Sequence, residues 1–132
     1  MIRDSVSDML TRIRNANMVK HQIVQIPKTK LTLSITKILK QEGYIKSFEE
    51  FTDNNTKMLL LCLKYQGLKR QPVITSLIRI SKPGLRIYVN NKNIPNVLDN
   101  FGIAIISTSQ GVITNHRAKN LKIGGEILCY IW

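Results

Sequence analysis

From Gly102 to Trp132 the chain reads GIAIISTSQGVITNHRAKNLKIGGEILCYIW, and this stretch restricts the possible folds more than any other. Apolar, β-branched runs of this kind favour a pleated, half-buried sheet. They flank a small hydroxyl turn, Ser107-Thr108-Ser109-Gln110-Gly111. Gly111 can supply the positive φ that a tight turn needs. A short basic helix is expected next, with Asn115 as its cap and Arg117, Lys119 and Lys122 along it. Gly124-Gly125 and a last apolar run close the chain. The second half holds only two acids, Asp99 and Glu126. A hydroxyl-rich turn on a rigid base, with cations beside it, can hydrogen-bond a polyanion without catalysing anything.

The charge balance points the same way. The 132 residues carry a formal net charge of +12 at an ordinary hydrophobic fraction of 43%, so the chain is basic and folded rather than basic and disordered. Up to Gln66 there are eleven basic and six acidic residues; beyond it there are nine and two. The excess is built into the folded elements, which suits a docking surface better than a tail. No apolar run approaches the ~20 residues that span a bilayer. The N-terminus enters a helical pattern at once, with Asp4 and Asp8 inside it, unlike a secretory or transit leader. The expectation is a protein that acts where it is made. Cys62 and Cys129 sit far apart in apolar runs with no metal spacing, as buried reduced thiols do. Isoleucine (nineteen) far outnumbers alanine (three), a bias typical of an AT-rich genome.

Helical periodicity over Val6, Met9, Leu10, Ile13 and Ala16 predicts a first helix. Asp4-Ser5 can cap it, with Asp8 in a weak capping-box position. Arg3, Arg12 and Arg14 lie off or at the edge of its stripe, either as a solvated face or as phosphate contacts. A short strand, His21–Ile26, ends at Pro27. Lys28-Thr29-Lys30 then leads into a second helix with the stripe Leu31, Ile35, Ile38 and Leu39, ended by Gly43. Lys28 and Lys30 precede a helix N-terminus, where an anion is favoured; a solvated loop is the other reading. Tyr44–Phe51 and Lys57–Tyr65 read as a hairpin turning at Asp53-Asn54-Asn55. The run Met58–Leu63 is too continuously apolar for an exposed strand. This gives an α-β-α-β-β first half. Gln66–Pro72 reads as a linker. Val73–Ile80 reads as a strand, Ser81–Gly84 as a type II turn and Leu85–Val89 as the next strand. There Arg86 and Tyr88 share one face, beside the basic turn with Lys82. They fit either an RNA-facing pair or a core tyrosine with a satisfied hydroxyl. Pro95 suits the first turn of a short helix, Ile94–Asn100.

Catalysis finds little support. His21 and His116 have no carboxylate to orient them, Ser107-Thr108-Ser109 lacks a nucleophile-elbow frame, and the paired glycines form no phosphate-binding fingerprint. No catalytic residue, metal site, cofactor or small-molecule substrate is expected. Binding fits better, because serine and threonine hydroxyls can meet phosphate, ribose and base edges. Glu126 is an acid in the most basic region. It fits an acid beside RNA that orients a partner or accepts from a base amino group, a structural acid hydrogen-bonded to the Ser/Thr turn, or both.

The runs STSQGVIT and GGEILCYIW, with SKPGLRIY at Ser81–Tyr88, DMLTRIRNA at Asp8–Ala16, PKTKL at Pro27–Leu31 and EGYI at Glu42–Ile45, resemble the small-subunit ribosomal protein eight family from end to end. The linker and composition look most like its plastid-encoded branch. The resemblance implies an α+β fold of two small subdomains: an α-β-α-β-β N-terminal half, 1–66, packed on a β-rich C-terminal half with a short helix, 67–132. It implies a structural constituent of the small ribosomal subunit that binds the central domain of its RNA at an irregular helix and helps nucleate assembly. The implied partners are small-subunit ribosomal RNA and neighbouring small-subunit proteins, with no membrane. The implied location is the plastid stroma, with a bacterial cytoplasm as the alternative. Carried over, the RNA-binding residues are Ser107, Thr108, Ser109 and Gly111, with Tyr88, Arg86, Lys82, Glu126 and Arg117 around them and Thr29 and Lys30 in the first half. The family usually continues after Gly-Val-Ile-Thr with Asp and then Arg or a similar residue; this chain has Asn115-His116, and the loss of the acid leaves the surface more positive.

Overall fold

The computed structural model describes residues 4–132; Arg3 lies outside them. The chain forms two compact units, one of Ser5–Thr75 and one of Ser76–Trp132 together with Asp4.

The first unit runs α1 (Ser5–Met18), β1 (Ile23–Pro27), α2 (Lys30–Gln41), β2 (Ile45–Asp53) and β3 (Thr56–Leu63), the expected α-β-α-β-β order. The sheet is antiparallel with order β1-β3-β2, so the most apolar strand is central. Leu59, Leu61 and Leu63 of β3 are buried, as are the full α1 stripe and Ile35, Ile38 and Leu39 of α2. Asn54 and Asn55 both take positive φ, 49° and 64°, between paired Asp53 and Thr56. Asparagine tolerates that region better than most residues, which makes Asn54-Asn55 a two-residue hairpin turn. Asp8 forms an ion pair with Arg12 at 3.0 Å, and Arg12 also donates to the Gln25 carbonyl at 3.1 Å. Arg12 is therefore engaged in local structure. The segment read as a linker is a small hairpin instead, β4 (Tyr65–Gln66) against β5 (Gln71–Pro72).

The second unit contains β6 (Leu77–Arg79), β7 (Tyr88–Val89), β8 (Ile103–Thr108), β9 (Gly111–Thr114), α3 (Asn115–Leu121) and β10 (Gly125–Ile131). Its antiparallel order is β6-β10-β8-β9, with β7 also on β10. Ile94, Val97, Ala104, Ile106 and Ala118 form a buried cluster, with Val89, Ile113, Tyr130 and Trp132 packed on it.

Four expectations are corrected here. Val73–Ile80 is not one strand: the Val73 amide bonds to the Lys64 carbonyl at 3.0 Å, and the strand itself is confined to Leu77–Arg79. Gly84 has no positive φ, so Lys82–Leu85 is not a type II turn; it is closed by reciprocal Lys82–Leu85 backbone bonds of 2.9 Å each. Those bonds occupy Leu85, and the Ile87 amide goes to the Ser81 hydroxyl at 2.9 Å, which leaves only Tyr88–Val89 as strand. Ile94–Asn100 is no helix. The Pro95 carbonyl, which a helix would bond internally, accepts from the Asn115 amide at 3.0 Å, and Leu98, Asp99 and Asn100 all take positive φ.

Burial pushes the Cys129 thiol up to about 12, because desolvation disfavours the thiolate, whereas Cys62 is only half-buried. Alkylation of the native protein near pH 8, followed by peptide mass spectrometry, should therefore label Cys62 and spare Cys129 until the protein is unfolded.

Candidate RNA-binding site

Strand register assembles the site. Glu126 on β10 lies opposite Ser107 on β8 and opposite Tyr88 on β7. Ser107 in turn lies opposite Val112 on β9. Directly opposed residues share a face, so Tyr88, Glu126, Ser107 and Val112 form one row across four strands. Tyr88 is 69% exposed, so its ring faces solvent and the core-tyrosine reading falls.

The turn beside this row is braced from within. Gly111 has φ +102°. The Thr108 hydroxyl donates to the Gly111 carbonyl at 2.8 Å and accepts from the Gln110 amide at 3.1 Å. Thr108 thus shapes the turn. The hydroxyls of half-buried Ser107 and exposed Ser109 make no hydrogen bond to the described residues, which leaves them free to bond a ligand.

Glu126 is held through Arg86. Its carboxylate accepts from the Arg86 guanidinium at 3.0 Å and is itself largely buried, while Arg86 is half exposed. This hydrogen bond raises the Arg86 pKa above its ordinary value. The carboxylate fixes a cation at one end of the row, and no bond to the Ser/Thr turn is formed. The buried Ser81 hydroxyl holds the approach to Arg86 by its bonds with the Ile87 backbone. Lys82 is exposed in the turn before it.

The paired glycines allow the strands to come this close. A Cβ on Gly125 would lie 2.2 Å from the Ser107 carbonyl oxygen, and one on Gly124 would lie 2.2 Å from that of Val89.

Two local readings change. Thr114, not Asn115, caps α3, its hydroxyl accepting from the Arg117 amide at 3.3 Å. Both residue types are good caps, so the local sequence left the choice open. Asn115 is fully buried, accepting from the Ala104 amide at 3.2 Å and donating to Pro95. Arg117 is exposed in the first turn of α3. Thr29 and Lys30 belong to the other compact unit. There Thr29 forms a reciprocal capping box with Thr32, at 2.8 and 3.0 Å. Lys28 is paired with Glu50 at 2.9 Å, leaving Lys30 as the exposed cation at the start of α2. Sequence reasoning missed Ser81, Thr114 and the inward role of Asn115. Ser81, placed before a turn, and Thr114, a good cap residue, offered local signals; the inward role of Asn115 had none.

The family model described as Ribosomal protein S8 matches residues 4–132. The chain belongs to the ribosomal protein S8 family. It is accordingly a structural ribosomal protein and not an enzyme. Its relatives include the small ribosomal subunit protein uS8c of Phaeodactylum tricornutum, 64% identical over 132 residues and all of both chains. That of Trieres chinensis is 62% identical at the same coverage. The uS8 protein of Thermosynechococcus vestitus is 53% identical over 99% of this chain and 98% of its own. The plastid-type S8 proteins are thus close relatives, and a cyanobacterial S8 follows them.

Gly125→Ala should cost about 1–3 kcal/mol, since the added methyl meets a strand carbonyl rather than a yielding side chain. Urea unfolding of the two proteins measures it, and an unchanged midpoint would show that β8 and β10 can part without cost.

Proposed function

We propose that this protein binds small-subunit ribosomal RNA directly, at an irregular helix of the central domain, and helps nucleate folding of that domain and assembly of the subunit. The observation that carries the proposal is the row Tyr88–Glu126–Ser107 beside a turn whose Ser107 and Ser109 hydroxyls are free. A ring, an oriented guanidinium and two unpaired hydroxyls suit a distorted minor groove, where 2′-hydroxyls, phosphates and base edges lie together. Ser107, Thr108, Ser109 and Gly111 form the reading turn, with Tyr88, Arg86, Lys82, Glu126 and Arg117 around it. Thr29 and Lys30 supply a second contact from the other half.

The net charge of +12 supplies salt-dependent attraction, and the uncharged hydroxyls supply recognition. In this reading the unit of Ser76–Trp132 carries recognition and the unit of Ser5–Thr75 supports it. Neighbouring small-subunit proteins join afterwards. The names of the plastid relatives support the plastid stroma as its place of work, with a bacterial cytoplasm as the alternative.

Replacing Ser107 and Ser109 together by Ala should weaken binding to a central-domain RNA fragment by about 1–3 kcal/mol with folding preserved. Filter binding and circular dichroism measure the two quantities, and undiminished affinity would remove the turn from the interface. Lys30→Ala should make the slope of log affinity against log salt shallower by about 1 with no change in RNA preference. A slope equal to wild type would exclude a phosphate contact by Lys30.

A further inference from the structure

A second surface, in the Ser5–Thr75 unit, has no part in the site described so far. It is built from two loops: the turn that closes α1, Met18–His21, and the tip of the β4–β5 hairpin, Gly67–Arg70. The Lys20 ammonium donates to the Lys69 carbonyl at 2.8 Å. The Tyr65 hydroxyl donates to the His21 carbonyl. The Arg70 guanidinium lies 5.1 Å from the centre of the Tyr65 ring. Each loop therefore holds the other, and the hairpin is a fixed prominence.

Its chemistry is one-sided. Lys20, Lys69 and Arg70 are exposed at its surface, and Leu68 at the tip is fully exposed. No acid occurs from Met9 to Gln41 or from Asn54 to Leu98, so none of the residues in these loops opposes the cations. Lys20 uses one of its three donors on Lys69. Arg70, placed over the Tyr65 ring, makes no hydrogen bond to the described residues through any of its five side-chain N–H groups. A guanidinium carries those donors in the fork geometry that matches phosphate. Because the loops are already locked, docking orders little new chain. A narrow, rigid finger also suits a nucleic-acid groove better than a protein interface, which needs a broad contact of about 1,000 Å² or more.

We propose that this prominence is a second RNA contact, holding phosphates through Lys20, Lys69 and Arg70 while Leu68 rests on a ribose or an unstacked base. The proposal rests on the RNA-binding reading above for the identity of its partner, and its test separates the two. In a Cys62→Ser background, with Cys129 buried, single cysteines replace Leu68 or Gln110 and carry an iron chelate that cleaves nearby RNA backbone. The target is small-subunit ribosomal RNA with its central domain folded.

Cleavage from both positions is expected. Cleavage from position 110 alone would overturn the second contact and leave the first standing. Cleavage from position 68 alone would keep the second and remove the Ser/Thr turn, and cleavage from neither would overturn both. As an independent measure, Lys69→Gln with Arg70→Gln, folded by circular dichroism, should make the salt slope shallower by about 2. An unchanged slope would show that the finger lies near RNA without holding it.

Discussion

The second unit depends on a distance too short for a side chain. At Gly124 and at Gly125, where β10 begins, the backbone runs so close to its neighbours that any Cβ would overlap the Val89 or Ser107 carbonyl. This approach puts β7 and β8 on either side of Glu126 and so creates a row of four side chains from four strands. Register alone then decides which residues meet. A slip by one position would turn Ser107 and Glu126 to the opposite face, where Ile106 and Ile127 now pack. The buried isoleucines therefore hold this row of side chains in place from behind.

Within that surface the polar groups divide the work. Thr108 spends its hydroxyl on the turn, and Glu126 spends its charge on Arg86. Both are thereby tied into the protein itself. Their expenditure fixes the groups that remain free, Ser107, Ser109 and the outer edge of Arg86. A ligand meeting groups held this way does not have to order them first.

How much of this was legible in the sequence depends on whether the signal was local. The β2–β3 turn was legible because Asn54-Asn55 meets a local steric demand. The central place of β3 was legible from its continuous leucines, and the α1 stripe from its period. Which carbonyls the glycine pair admits was not legible. Partners from distant sequence were not legible. Asn115 looked like a cap because its preference for that role is local, while the Ala104 amide and the Pro95 carbonyl that it serves come from other segments. The same loss of a carbonyl explains why Ile94–Asn100 did not become a helix. Among the site residues, the turn and Glu126 could be named from sequence; that Glu126 pairs with Arg86 could not.

Asn115 has one more consequence. A carboxamide has two unlike ends, and here both are used: its oxygen serves the Ala104 amide of β8, and its nitrogen serves the Pro95 carbonyl. An aspartate, the residue that the family resemblance leads one to expect at this position, could replace only the first of these. This chain therefore has a seam joining β8 to the loop before it that a carboxylate could not sew. Opening that loop breaks a bond to Asn115, and the Ala104 amide becomes a reporter of motion in a segment it does not belong to.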